Sequence, residues 1–475
     1  MKPNLTINLG LRYEMATMVD EVHSRIANLR QLADPATTLG RPYYNSPKAG
    51  NFSPRIGFAW DPFKDGKTSI RGGAGMFDVL ILPYMFTARY PRSAPFYKSG
   101  QVDAPPDGTF PNKGLPLLTA TTLLASHVEL NPKRAYRMQW NLNIQRQLTR
   151  SMALTLGYSG SSGVHIIHQE EDTNEVPFAS FNSAIGSYIF PLIPAGQKAK
   201  VINPNFGNIR ASDWSGQSNY HGFQANLVQR PIKGLSYQLA YTWSKSIDNG
   251  SGVFQAGNES FNTAAASWAF DPRINRGVSD FDIPHNFVAN FQYDVPTPEF
   301  AKNSAIGKTV LGGWQVGGIY TRQTGAPFTY RIGADRAGTG NHQITASNGA
   351  QRPQLLGNLP GCSSPTTGNI DAYINFSCFQ FPALGQLGNE GRNIMRVLTF
   401  RNLDFTVFKN QNLMGERLKA QFRVEMFNIL NNTNLTANML SIFDGGGNIP
   451  STIGKPFAPT VNAARTIQLG LRLVF

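Results

Sequence analysis

The segment Ala464-Arg-Thr-Ile-Gln-Leu-Gly-Leu-Arg-Leu-Val-Phe475 alternates between apolar and polar residues almost without a break. Ile467, Leu469, Leu471, Leu473 and Phe475 share one parity; Thr466, Gln468, Gly470 and Arg472 share the other. A β-strand sends successive side chains to opposite faces, so this stretch has one greasy wall and one polar wall. In a soluble sandwich the greasy wall turns inward to a protein core. In a transmembrane barrel it turns outward to lipid, and the polar wall lines the lumen. Alternation alone fits both.

Working outward, the same pattern predicts twelve strands. The others are Leu5 to Tyr13, Arg55 to Trp60, Thr68 to Phe77, Tyr136 to Ile144, Met152 to Tyr158, His221 to Gln229, Leu235 to Trp243, Phe287 to Tyr293, Trp314 to about Tyr330 with a Gly325-Ala-Pro327 interruption, Leu403 to Val407, and Leu418 to Met426. Their connections alternate in length. Asp61–Gly66, Thr149–Ser151, Arg230–Gly234 and Gln411–Gly415 are short, and a medium turn reaches Gly312. Long segments fall between, near residues 14–51, 78–133, 159–220, 247–284 and 333–396, and before the last strand. Short turns on one side and long loops on the other are the habit of a membrane barrel, with the short side periplasmic. An even count returns the chain to the side where it started. Tyr13, Trp60, Tyr158, Trp243, Trp314 and Tyr320 fall near strand ends, as interfacial girdles require. The predicted fold is all-β: an antiparallel transmembrane β-barrel with long extracellular loops and short periplasmic turns.

Composition agrees. Only 15% of the 475 residues are charged, whereas glycine (46) and aromatics (11%) are plentiful, a turn-rich β profile. Mean hydropathy is −0.26 and no run of about 18 apolar residues occurs, so no transmembrane helix is expected. A barrel escapes that test because its lipid-facing residues come every second position. The net charge of +14 calls for an anionic partner. Lysine and arginine are scattered singly, without a basic block, which argues against nucleic acid and for outer-membrane lipid and lipopolysaccharide phosphates. The start, Met1 to Glu14, lacks the apolar core of a signal peptide and begins directly with a strand pattern, so the chain is expected to be the C-terminal portion of something longer. Cys362 and Cys378 are a possible disulfide in an oxidising compartment and two ordinary thiols elsewhere.

A strand that closes on Phe475 resembles the end that assembly machinery reads in bacterial outer-membrane barrels. Further stretches resemble the Oar-like TonB-dependent receptors: Asn4-Leu-Thr-Ile-Asn-Leu-Gly-Leu-Arg-Tyr-Glu14, Ser53-Pro-Arg-Ile-Gly-Phe-Ala-Trp-Asp-Pro62, Tyr241-Thr-Trp-Ser-Lys-Ser-Ile-Asp248, Gly313-Trp-Gln-Val-Gly-Gly318 with Gly325-Ala-Pro-Phe-Thr329, Gly388-Asn-Glu-Gly-Arg-Asn393 before Asn402-Leu-Asp404, and Phe427-Asn-Ile-Leu-Asn-Asn-Thr-Asn434. Members of that family carry a periplasmic domain, a plug and a barrel of about 22 strands. The resemblance therefore implies that residues 1–475 are the C-terminal part of such a barrel, with plug and N-terminal domain absent. It also implies residence in the outer membrane, uptake of a bulky nutrient ligand (carbohydrate, peptide or metal chelate), and coupling to the TonB complex through the missing N-terminal region.

No covalent chemistry is expected. His165-Ile-Ile-His168-Gln-Glu170-Glu171 is the most metal-like cluster, yet on a strand its two histidines face opposite ways, and ordinary loop residues are the commoner reading. Gly445-Gly-Gly447 lacks the Lys-Ser/Thr of a phosphate loop, and no Gly-x-Ser-x-Gly elbow exists. No catalytic residue, metal site or cofactor is expected. On the lumen parity of strand eleven, Lys419, Arg423 and Glu425, with Gln421, are candidate ligand contacts, although cross-strand ion pairs are the more frequent use of such residues. Two rivals to a transporter remain at this level. One is a structural or adhesive surface protein that moves nothing; the other is a soluble secreted β-protein, recoverable without detergent.

Overall fold

The computed structural model describes residues 3–47, 50–81, 90–100, 106–109, 113–117, 122–170, 172–194, 196–197, 200–252, 271–340, 351–357, 362–413, 418–437, 441–450, 457–459 and 464–474. The expected Phe475, Glu171 and the end of the Gln411–Gly415 turn lie outside them.

Twelve long strands form one sheet in strict sequence order. They are β1 (Leu5–Tyr13), β2 (Phe52–Trp60), β3 (Thr68–Asp78), β4 (Tyr136–Gln147), β5 (Met152–Glu170), β6 (Ile209–Ile232), β7 (Leu235–Asp248), β8 (His285–Asp294), β9 (Trp314–Gln323), β10 (Phe400–Asn412), β11 (Lys419–Phe427) and β12 (Thr466–Val474). Every neighbouring pair along this path is antiparallel. Among the described residues, no pairing joins β1 to β12.

Register keeps the apolar parity together across the whole sheet. One row runs Leu5, Trp60, Ile70, Ile144, Leu156, Ala225, Tyr241, Phe287 through the first eight strands. Another runs Leu235, Tyr293, Val316, Val407, Val424, Leu469 through the last six. The opposite face carries rows such as Arg71, Asn143, Gly157, Gln224, Thr242, Asn286, Gln323. A slip of one residue between any two strands would place amides in the apolar row, so the alternation itself fixes the register.

Among the described residues no protein layer covers the apolar wall. Leu9, Leu11, Leu469 and Leu471 are 78%, 68%, 66% and 68% exposed. The buried apolar side chains lie instead in the long connections and in the far ends of β5 and β6, with Ala301 the exception. Ile26, Tyr43, Tyr44, Val128, Ile167 and Trp214 make one cluster. Tyr330, Ile332, Cys378, Met395, Ile442 and Phe443 belong to another. The dry core therefore sits in a cap built from loops, beyond the wall.

On the other side the turns are tight. Lys233 (φ 49°) and Gly234 (φ 84°) join β6 to β7, both left-handed, as a two-residue hairpin turn of the I′ kind requires. Glycine is needed at 234 for a second reason: a Cβ there would lie 2.5 Å from the Asp294 carbonyl oxygen.

Three expectations differ from the structure. Strands five and six do not stop at Tyr158 or start at His221; β5 has 19 residues and β6 has 24. At about 3.3 Å per residue β6 reaches roughly 80 Å, far more than a hydrocarbon layer of about 30 Å. Past the bilayer rim neither face meets lipid, so the alternation stops in Ser159-Gly-Ser-Ser-Gly163 while the backbone ladder continues. Strand nine ends at Gln323, and Pro327–Phe328 pairs with Met395–Arg396 in the cap. Gly325 fits so closely against the backbone that an added Cβ would sit 1.7 Å from the Val397 oxygen. The medium turn before Gly312 holds two short helices, α1 (Glu299–Lys302) and α2 (Ala305–Leu311), the second capped by the Ser304 hydroxyl accepting from the Gly307 N–H. Cys362 and Cys378 are joined by a disulfide, and Cys378 is buried within the Tyr330 cluster.

Candidate functional site

The lumen-face residues singled out on β11 do lie on the polar parity, but they do not converge. Lys419 and Glu425 are six residues apart, roughly 20 Å along a strand. The Arg423 Nε donates to Gln421 Oε1 at 2.5 Å, and its guanidinium lies over the Phe408 ring at 5.5 Å. No ion pair links Arg423 to Glu425 among the described residues.

The histidine cluster lies on β5, where the register to β6 shifts between Val164 and His168. His165 takes a left-handed φ of 53°, and its Nδ1 lies 3.1 Å from the Arg134 carbonyl oxygen; His168 is buried, with Ser215 Oγ at 3.4 Å. Among the described residues no group of three metal-ligating side chains exists. In the glycine loop the Asp444 carboxylate accepts the N–H groups of Gly446 and Asn448, so the loop closes on its own acid.

What the cap does bring together was invisible to local reading. Three long connections meet around a cavity of about 710 Å³: residues 178–188 from between β5 and β6, 271–274 from between β7 and β8, and 352 with 387–391 from between β9 and β10. Phe178 and Phe181 set their rings edge-on to Tyr188, at 4.7 and 5.1 Å between centroids. The Tyr188 hydroxyl donates to Asp271, whose carboxylate also takes a two-point grip from Arg273 at 2.8 and 2.9 Å. That grip, from the Arg273 guanidinium first of all, holds Asp271 well below the usual carboxylate range.

Deeper in the cavity lie Arg352 and Glu390. The Arg352 Nη2 donates to Asn275 Oδ1 at 2.6 Å, and Nη1 reaches the carbonyls of Ile274 and Glu390 at 3.3 Å. Its Nε is buried without a hydrogen-bond partner, and the buried Glu390 carboxyl faces the Tyr330 backbone N–H and the Arg352 charge. Burial pushes the Glu390 carboxyl upward against the opposing pull of Arg352.

Glu390 belongs to the Gly388-Asn-Glu-Gly-Arg-Asn393 stretch, which locks the cap. Gly388 packs so tightly that a Cβ would come within 1.9 Å of the Arg352 oxygen. Asn389 donates to the Ile185 carbonyl at 3.0 Å and accepts from the Leu355 N–H at 2.6 Å. The Asn393 amide donates to Val278 O and Asp280 Oδ1 at 2.7 and 2.6 Å. A second cavity, about 420 Å³, lies on the polar wall near the turns, with Lys67, Arg71, Arg150 and Arg230 among its lining and no acidic residue.

A continuous sheet with a bare apolar face, a polar face opposite, tight turns at one rim and a folded cap at the other defines a membrane-spanning barrel wall. The chain belongs to the family of outer membrane beta barrel domains, whose model matches residues 1–468, and its place is the outer membrane. The cap side is accordingly the extracellular side. No curated protein matches the sequence. Among solved structures it is similar to the outer membrane transporter YddB from Escherichia coli (12% identity, TM-score 0.41, covering 90% of this chain and 40% of that one). It is also similar to the siderophore receptor PirA from Acinetobacter baumannii (13%, 0.41, 90% and 41%) and to the FrpB iron transporter from Neisseria meningitidis (11%, 0.38, 89% and 38%). The chain spans about two fifths of the length of these structures.

Proposed function

We propose that this chain is the barrel portion of an Oar-like, TonB-dependent receptor that binds a nutrient at the cell surface and passes it across the outer membrane without covalent chemistry. The observation that carries this reading is the cap cavity. Three connections meet around it, and they line it with the Phe178, Phe181 and Tyr188 rings and the Asp271–Arg273 pair. A barrel that only fills or decorates the membrane has no need of such a site, whereas a receptor does.

Among the described residues the outer edges of β1 and β12 carry no partner strand, which supports a part within a larger barrel. Unpaired backbone groups in hydrocarbon cost several kcal/mol each, and in this reading neighbouring strands from the rest of the receptor cover those edges. The TonB complex would engage that remainder.

The test is uptake by cells carrying the complete gene. Deleting the gene, or disabling TonB, is expected to abolish growth on the one nutrient that the intact strain takes up at low concentration. Unchanged growth on every nutrient, with lost attachment to surfaces or to other cells, would favour the adhesive reading instead.

A further inference from the structure

The connection between β8 and β9 folds with its large apolar side chains on the outside. It starts at the tight-turn rim, where the Asp294 N–H donates to the Gly234 carbonyl at 2.9 Å. There α1 and α2 meet through their smallest residues. Ala301 is buried, and a Cβ on Gly307 would come within 2.7 Å of the Ala301 carbonyl oxygen. Phe300 and Ile306 are left 80% and 77% exposed, and Val310 and Leu311 are exposed as well. Ile306 and Val310, four apart, share one face of α2, and Lys308 falls on the other. A helix pair that meets only water does the reverse and turns its large apolar stripe inward.

The attachment of this face identifies what covers it. Trp314 stands two residues before Val316, on the apolar parity of β9, so its ring is on the lipid side of the wall. The indole Nε1 donates to the Val310 carbonyl at 2.7 Å, which holds the last turn of α2 against that ring. Lys409, opposite Trp314 on β10 and on the same parity, sets its ammonium 5.4 Å from the ring centre and donates to the Gly312 carbonyl. Along the same rim the Arg146 guanidinium lies 5.4 Å from the centre of the Phe63 ring, and Arg146 shares the parity of Ile144. Cations paired with aromatic rings at one level mark where hydrocarbon gives way to headgroups. The exposed face of α1 and α2 is therefore continuous with the lipid-facing wall.

We propose that the α1–α2 hairpin is a foot seated in the periplasmic leaflet of the outer membrane, with Phe300, Ile306 and Val310 among the acyl chains and Lys308 turned to the phospholipid headgroups. An amphipathic helix lying in this zone sinks its apolar face about 5–10 Å below the headgroup boundary. A free peptide as short as α2 would not stay bound. Here both ends are tied to strands already in the membrane, so insertion is an intramolecular step with a high effective concentration. The proposal needs only the outer-membrane location, and it stands or falls apart from the transport role.

The test is quenching of a bimane label carried on single cysteines in the full chain: Phe300→Cys, Lys302→Cys, Ile306→Cys, Lys308→Cys and Val310→Cys. Cys362 and Cys378 are joined, so each new thiol takes the label alone. All five positions are exposed, and the label replaces no packed side chain. The protein is reconstituted into vesicles of phosphatidylethanolamine and phosphatidylglycerol whose acyl chains carry bromine close to the headgroup. Labels at 300, 306 and 310 are expected to lose their fluorescence to the brominated lipid and to be spared by aqueous iodide. Labels at 302 and 308 are expected to behave in the opposite way. Leu469→Cys on β12 sets the loss that full lipid contact produces. Quenching at 300, 306 and 310 by iodide alone overturns the proposal, because the face then lies in water. Protection of all three from both reagents overturns it as well, and assigns the face to a protein contact.

Discussion

Asp248, the last residue of β7, is gripped by Arg392 from the connection between β9 and β10, and the Arg392 side chain is completely buried. The same guanidinium donates to the Asp248 carbonyl at 3.0 Å and, through Nη1, to Ser251 Oγ at 3.3 Å. One side chain thus ties the rim of the wall to the longest connection in the chain. Removing one partner of a buried ion pair leaves the other charge uncompensated, at about 3–5 kcal/mol. Arg392→Ala is expected to loosen the cap by that amount while leaving the wall folded. Limited proteolysis and hydrogen exchange check this: the cap loops gain cleavage and exchange, and the strands do not.

Glu390 gives the cap a pH dependence of definite sign. Burial raises its pKa from the ordinary 4.5 to about 8, while Arg352 beside it stays charged throughout that span. Between those values the folded cap holds a proton that the unfolded chain has released, so stability falls as pH rises. Below about 4.5 this contribution is fully present; above about 8 it has gone. Thermal unfolding of the cap followed from pH 5 to 8.5 is expected to show a declining midpoint, and Glu390→Gln is expected to flatten it. A midpoint that rises with pH in the native protein and keeps its slope in the variant contradicts the assignment.

Cys362 and Cys378 close a loop across 16 positions of sequence. In the chain-entropy account a closure of about 15 residues is worth about 3 kcal/mol. Because Cys378 lies inside the Tyr330 cluster, reduction is expected to destabilise that part of the cap and leave the Ile26 cluster unaffected. Exchange of the Tyr373 and Phe379 amides with and without reductant measures it. Equal protection in both states contradicts it.

The wall was legible because lipid writes a period of two into the sequence. Each of the twelve strands was found from its apolar parity, and the boundaries failed where the cause of that parity ends. Beyond the bilayer rim β5 reads Ser159-Gly-Ser-Ser-Gly163, a strand held by its ladder and by the loops above it, with no apolar face to announce it. The two short helices were missed because seven residues give too little length for a helical period. The cap cavity was illegible for another reason. Phe181, Asp271 and Glu390 come from three connections, and only tertiary packing makes them neighbours. The one available signal was Gly388-Asn-Glu-Gly-Arg-Asn393, where two glycines flank an acid and a base follows, a composition expected where backbone packs closely around charge.

The transport role requires that the apolar wall of the sheet face hydrocarbon. Spin labels placed singly at residues 467 to 473 of β12, in the protein reconstituted into lipid, measure it directly through collision with oxygen, which concentrates in the bilayer, and with a water-soluble nickel chelate. Positions 467, 469, 471 and 473 are expected to favour oxygen, and 468, 470 and 472 the nickel chelate, with a period of two. The reverse phase, or labels at 469 and 471 shielded from both reagents, contradicts it.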